Sequence, residues 1–352
     1  GLIEEVASNV PRLDYSDGGC PSLLLENSST NLITYSEDFS NAYWSTARIE
    51  TPYIADTISP DGTLNAYTLE ISSGETGGGG VYKSLSVVGD NSISVFAKKS
   101  TVDYLVLADT GLDSSRNAVY FNLENGTVAT EYNAVGKMQD FGNGWYRCTM
   151  KYTLTSFGNK FIYMTNIDGS TSNAVQGGDS IYIYGAQVEQ NSYATSYIKT
   201  VGTTQSRSAD TANGAGNAST FNDSSGVLMA EISALANDGT NKTIGILGDS
   251  NNLIELAYRN TSNQVRFLIK SSGVVEVNIQ HTLSDIMLNN KLAIKYKSNN
   301  ASLYVNGFEV DTDLSANMPN GLNELNFNRF DGAEDFYGST KQIQYFDSAL
   351  ND

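Results

Sequence analysis

The sequence predicts an all-β chain: two β-sandwich domains in series after an extended N-terminal segment. Three observations lead there. Apolar residues seldom recur at three-and-four spacing over ten or more positions, whereas strict alternation is common. Asn-Gly dipeptides stand between β-rich runs. The length of 352 residues exceeds one sandwich and suits two, at roughly 100–200 residues per domain.

Each element follows from local chemistry. Ser92-Ile93-Ser94-Val95-Phe96-Ala97, Tyr104-Leu105-Val106-Leu107, Phe161-Ile162-Tyr163-Met164 and Ser180-Ile181-Tyr182-Ile183-Tyr184 are short strands bounded by Gly, Asn, Asp or Ser clusters. Asn125-Gly126 and Asn306-Gly307 supply the positive φ angles of tight hairpin turns. Before the second of these, Leu292, Ile294 and Tyr296 share one strand face and Leu303 and Val305 continue it. Phe308 and Val310 then return on a third strand, so the apolar face is expected to run across all three. Gly77 to Gly80 precede Val81-Tyr82-Lys83, which resumes as strand. That context gives a flexible hairpin tip rather than a phosphate cradle, which requires a following helix.

The domain plan is read from texture. Residues 1–30, with Pro11, Pro21 and Gly18-Gly19, form an extended segment in which Leu23-Leu24-Leu25 can add a strand to a neighbour. Residues 31–200 form the first strand-rich domain and residues 223–352 the second. Between them 201–222, small, polar and without period, is the expected linker. The chain ends suggest part of something longer.

Composition narrows the function classes. With 21 Lys+Arg against 39 Asp+Glu, the formal charge of -18 repels phosphate backbones and anionic lipid, which disfavours nucleic acid. No apolar run approaches the roughly 18 residues a membrane helix needs. Cys20 and Cys148 form no CxxC pair and are expected as structural thiols. The 21 tyrosines outnumber 13 Phe and 2 Trp together, a polar aromatic surface that suits assembly or glycan contact better than catalysis.

Catalytic constellations find little support. His281 is the single histidine, which excludes paired-His zinc sites, and no GxSxG elbow accompanies it. Asp311 with Asp313, or Glu334 with Asp335, could be nominated as glycosidase carboxylates, but both pairs fall in Gly- or Asn-rich loops where acids are ordinarily solvated. No catalytic residue is assigned. Calcium is the most plausible ion, because Asp249 in one loop and Asp331, Glu334 and Asp335 in another offer hard oxygen donors.

Ligand contact falls to outward aromatics and guanidinium groups. Alternation puts Ile181 and Ile183 on one face and Tyr182 and Tyr184 on the other, with Tyr120 able to join them and Arg116 nearby. The same tyrosines would serve equally for packing under a loop or against another copy of the chain. Trp145 and Trp44 fit core anchors. In the second domain Tyr258, Arg259, Arg266 and Arg329 form a secondary group, and Tyr304, out of phase with Leu303 and Val305, is turned towards a partner.

Several stretches together resemble a known kind of protein. NVPRLDYSDGGCPSLLLE followed by TNLITYSEDFSNAYW is similar to the entry of modular fibre and spike proteins of tailed bacteriophages. GNGWYRCTM and IYIYGAQVEQNSYATSYIKT resemble the closing strands of the jelly-roll, carbohydrate-binding-module-like domain those proteins carry. KLAIKYKSNNASLYVNGFEVD with KQIQYFDSAL resembles the core of a concanavalin-like or laminin-G-like sandwich. The resemblance implies a non-enzymatic virion structural protein of tail or head fibre, homotrimeric, in contact with other virion proteins and with host-surface glycans. Calcium at one rim of the laminin-G-like sandwich would also fit it. Similar module pairs accompany polysaccharide-degrading enzymes as extracellular binding accessories, which is the alternative.

Overall fold

The computed structural model describes residues 3–7, 9–15, 19–109, 117–154 and 158–349. Arg116, Gly18 and both chain ends lie outside them. The described residues are all β, with no helix. In chain order the strands are β1 (Leu13–Asp14), β2 (Ser22–Leu25), β3 (Ser29–Asn31), β4 (Ser45–Ala47), β5 (Tyr53–Ile54), β6 (Tyr67–Glu70), β7 (Gly79–Leu85), β8 (Gly89–Lys99), β9 (Tyr104–Asp109), β10 (Asn117–Asn122), β11 (Thr127–Tyr132), β12 (Val135–Gly142), β13 (Trp145–Leu154), β14 (Gly158–Thr165), β15 (Ser180–Glu189) and β16 (Gln205–Arg207). They continue as β17 (Ser225–Ala234), β18 (Lys242–Asp249), β19 (Asn252–Tyr258), β20 (Gln264–Ser271), β21 (Val274–Thr282), β22 (Asn290–Lys297), β23 (Ala301–Val305), β24 (Phe308–Asp313), β25 (Glu324–Asn326) and β26 (Gly338–Phe346).

Two compact units result, one of Gly1–Glu5 with Ser28–Ser208, the other of Val6–Asn27 with Ala209–Asp352. The first unit is a sandwich of two six-stranded antiparallel sheets, β11-β10-β9-β14-β7-β4 and β12-β13-β8-β15-β6-β5, with β16 paired to β3 beside them. Alternation sends Val81, Leu105, Leu107, Phe121 and Ile162 of one sheet against Leu69, Ile93, Val95, Met150 and Ile183 of the other. Trp44 closes this core, its ring stacked on Phe39 at 5.3 Å and its Nε1 donating to the Tyr35 carbonyl.

Both outer faces of this sandwich are themselves covered. Val106, Ala108, Tyr120, Phe161 and Tyr163 form a buried cluster on one, and Phe96, Trp145 and Tyr184 another on the opposite sheet. Trp145 is therefore a core anchor of an outer layer, its Nε1 donating to the Ile58 carbonyl at 2.8 Å. Pointing away from the inter-sheet core does not mean meeting water here.

The second unit stacks a seven-stranded sheet, β1-β2-β26-β17-β22-β23-β24, on a five-stranded one, β21-β20-β19-β18-β25. Leu228, Ala230, Leu292, Ile294, Tyr296 and Leu303 meet Ile244, Ile254, Leu256, Phe267 and Ile279 in one core. Tyr296 is buried and donates to the Asn222 carbonyl at 2.7 Å.

Several expectations are corrected. The segment 1–30 is not separate from the domains, since residues from Val6 to Asn27 belong to the second unit and β2 pairs β26. The triple leucine supplies that strand. The stretch 201–222 is not a loose linker: β16 pairs β3, Ala215 exchanges two backbone hydrogen bonds with Leu325, and Phe221 is in the second core. Its small polar residues bond through the backbone, which a compositional reading cannot see. Phe308 stands 75% exposed although it pairs with Val305, because it opens the edge strand β24, which has no neighbour on its far side. Asn306-Gly307 makes the two-residue turn with φ of 50° and 89°, whereas Asn125-Gly126 ends a longer loop in which Gly126 alone is positive.

The glycine run is the largest departure. Gly79 and Gly80 open β7 between β14 and β4, and a Cβ on Gly80 would lie 2.1 Å from the Ile162 carbonyl oxygen and 2.8 Å from Tyr163 Cα. These atoms are backbone and cannot step aside. Gly80→Ala is expected to lower the first unit's stability by about 1–3 kcal/mol, measured as a shift in the urea midpoint. An unchanged midpoint would show that the strands separate without cost.

Candidate ligand-binding sites

A polar cavity of about 410 Å³ opens in the first unit, lined by Ser28, Ser29, Thr30, Leu32, Gln190, Asn191, Ser206 and Arg207. Backbone pairing of β3 with β16 sets Thr30 opposite Ser206, and their hydroxyls are 2.7 Å apart. Beneath them Glu189 is fully buried and accepts from Ser29 Oγ at 2.6 Å, Thr195 Oγ1 at 2.5 Å and the Thr195 amide at 3.0 Å. Asn191 Nδ2 donates to Ser29 Oγ at 2.9 Å, while Gln190 is tied to the Val88 carbonyl. Asn31, next along β3 and also fully buried, donates to the carbonyls of Ala186 and Ile198 and accepts from Val188 and Ile33. Satisfied buried groups of this kind hold the hydroxyls and amides of the wall in place, and Arg207 adds a guanidinium to it. Such a wall offers hydroxyl, amide and guanidinium groups that can exchange hydrogen bonds with a polar ligand.

Sequence reasoning missed this cavity. Ser29 and Glu189 are 160 residues apart and Thr30 and Ser206 are 176 apart, so no local pattern announces them.

The tyrosines expected as ligand contacts are placed differently. Tyr120 and Tyr184 are buried in the outer-face clusters, and Tyr258 lies in the inter-sheet core of the second unit, donating to the Ile232 carbonyl at 3.0 Å. All three are packing residues: Tyr120 and Tyr184 because the faces that alternation turns away from the inter-sheet core are themselves covered, Tyr258 because it faces that core directly. Tyr184 reaches Glu37 at 2.7 Å and Asp61 at 3.0 Å, and burial followed by the Glu37 contact pushes its phenol well above the ordinary value. Tyr182 is half-buried beside it. Tyr304 does point away from Leu303 and Val305, but its hydroxyl donates to Glu309 Oε2 at 2.7 Å and Lys295 Nζ lies 5.5 Å from its ring centre.

On the outer face of the five-stranded sheet the structure gathers a charged group. Arg266 of β20 donates from Nη2 to Glu255 of β19 at 2.9 Å. Arg329, from the segment after β25, donates to Glu334 at 2.7 Å and grips Asp331 through Nε and Nη2. Arg259 ends this row beyond β19. The secondary group is thus partly assembled: the charges of Arg259, Arg266 and Arg329 all act on Glu255, without Tyr258. Glu255, which the reading omitted, is central. Its signal was a lone acid inside Leu253-Ile254-Glu255-Leu256-Ala257.

Burial pushes Glu255 above its ordinary value of 4.5, outweighing the pull of Arg266, with Glu334 adding to the rise. A carboxyl raised on folding contributes stability that is fully present below the unfolded value and lost as pH rises through the folded one. The stability of the native chain relative to Glu255→Gln is therefore expected to fall from about pH 4 upwards and then level off. Urea unfolding of both proteins across that range measures it. A difference that grows with pH would mean that pairing with Arg266 dominates.

The carboxylates nominated for calcium already have protein partners. Asp249 accepts from the Asn251 amide at 2.7 Å within its own turn, Asp335 accepts from Tyr337 at 2.9 Å, and Asp331 and Glu334 are held by Arg329. Arg329 keeps Asp331 at about 2. Among the described residues no three His, Cys, Asp or Glu converge as a metal set. Asp311 accepts from the Thr312 amide, and Asp313 from Ser315 through amide and hydroxyl. Cys148 is buried and Cys20 exposed, both as free thiols.

No family model matches the chain, and no curated protein does. Among solved structures, mouse laminin alpha1 chain domains LG4-5 align with a TM-score of 0.29 and 10% identity over 76% of this chain and 86% of that one. The LG1-3 region of the laminin alpha2 chain aligns with a TM-score of 0.28 and 11% identity, over 81% of this chain and 65% of that one.

Proposed function

We propose that this chain is a non-enzymatic segment of a phage fibre or spike, serving assembly and host-surface glycan recognition. The polar first-unit cavity is the observation that carries the reading: hydroxyl, amide and guanidinium groups along one wall suit sugar hydroxyls. Topology supports it. Strands β6-β15-β8-β13 face β7-β14-β9-β10, the strand order of a jelly roll, an architecture shared by viral capsid and lectin domains. The second unit is then the concanavalin-like or laminin-G-like module. Exposed Phe308 and Leu314, at 75% and 73%, offer apolar contacts to other copies in a homotrimer or to other virion proteins.

The same cavity would serve a carbohydrate-binding accessory of a polysaccharide-degrading enzyme, so assembly state separates the two. Sedimentation of the purified chain together with a glycan array tests the reading. A trimer that retains glycans of a host surface is expected. A monomer that binds a soluble polysaccharide tightly would replace the fibre by the accessory module.

A further inference from the structure

We propose that the first-unit cavity takes an acetamido sugar, a hexose in which one hydroxyl is replaced by an N-acetyl group. The proposal names the class of glycan for that cavity and rests on the reading of it as a glycan site. Three groups on the wall carry it. Through their side chains Thr30 and Ser206 bond only to each other among the described residues, at 2.7 Å, and both line the cavity. Two hydroxyls carry two hydrogens and use one between their oxygens, so one O–H is left to donate outward. Gln190 is exposed, and its single side-chain hydrogen bond among the described residues runs from Nε2 to the Val88 carbonyl at 2.9 Å. Its Oε1 is left to accept. Leu32 is the one apolar side chain of the lining, half-buried and packed on its other side against the core of the unit.

The backbone brings these three groups together. Leu32 directly follows β3, so alternation turns it to the same side as Thr30, about 7 Å further along the chain. The Leu32 amide donates to the Val188 carbonyl at 2.8 Å, two residues before Gln190. A donor, an acceptor and an apolar patch are the complement of one acetamido group: its carbonyl accepts from the hydroxyl pair, its N–H donates to Gln190 and its methyl covers Leu32. An unsubstituted hexose brings no methyl, and a 6-deoxyhexose brings a methyl without the amide. The lining holds no aromatic ring on which a bare pyranose face could stack, and no carboxylate to hold a free amino sugar.

The test is calorimetric titration of the full chain, at millimolar glycoside, with the methyl glycosides of N-acetylated glucosamine, galactosamine and mannosamine, of their parent hexoses, and of fucose. At least one acetamido glycoside should bind roughly tenfold more tightly than its parent hexose. Leu32→Ala should reduce that preference but also thins the core, so Gln190→Ala, a change at an exposed side chain, is the decisive variant. It should unfold as the native chain does, lose most of the roughly tenfold preference and bind the parent hexose as before. Equal binding of an acetamido glycoside and its parent, tightest binding of the fucoside, or an undiminished preference in Gln190→Ala would each overturn the proposal while the cavity remained a glycan site. Binding of none of the glycosides, or binding that survives Ser206→Trp, would remove the glycan reading of the cavity and the proposal with it.

Discussion

Replacing Lys160 with methionine is expected to lower the stability of the first unit by about 3–5 kcal/mol. Lys160 of β14 and Asp109 of β9 are paired directly across the sheet, with Nζ 2.5 Å from Oδ2 and side chains 2% and 0% exposed. Both share the strand phase of the core residues Ile162 and Leu107, so they turn into the sandwich. Removing the ammonium abandons a carboxylate where water cannot compensate it. Tyr152 registers that environment: burial first, then the charge and hydrogen bond of Asp109, push its phenol far up. The double variant Lys160→Met with Asp109→Leu should regain most of the loss, since an ion pair replaced by apolar groups is often neutral. Urea denaturation of the single and double variants decides it. A single variant within about 1 kcal/mol of native would show that solvent reaches the pair.

Arg12→Met is expected to cost the second unit a similar amount, about 3–5 kcal/mol. Arg12 precedes β1 and binds both Glu26 and Asp210 while only 16% of its side chain is exposed. Asp210 also accepts the Glu26 amide at 2.7 Å. Without the guanidinium, two carboxylates confront each other where β1 and β2 join the sheet. Hydrogen exchange should then show early opening of β1, β2 and β26 before the remaining strands. Uniform protection across the unit would mean that the leucines of β2 hold the segment unaided.

Neither ion pair was legible in the sequence, whereas the strand faces were. Local alternation was enough to place Ile181 and Ile183, and Leu292, Ile294 and Tyr296, in their cores, because a period of two leaves few alternatives once one face is buried. What covers the other face is a tertiary matter. Tyr184 was assigned correctly to the face opposite Ile183, yet it is enclosed by residues remote in sequence, Glu37 and Asp61 among them. Glycine 80 misled for a related reason: its need is set by the carbonyl of Ile162, not by its neighbours. The cavity and the Arg12 pairs depend on contacts over 160 and 198 residues, which no windowed reading recovers. Glu255 was recoverable, since an acid amid Leu, Ile and Ala on a strand demands a cation.

Glycan-array binding of the native chain beside Ser206→Trp tests most directly the claim that the first-unit cavity is a recognition surface. Ser206 is exposed on the short strand β16, so an indole there fills the cavity without entering either core. Retention of glycans by the native chain and their loss in Ser206→Trp, at an unchanged unfolding midpoint, is the predicted result. Identical glycan profiles for the two proteins would contradict it.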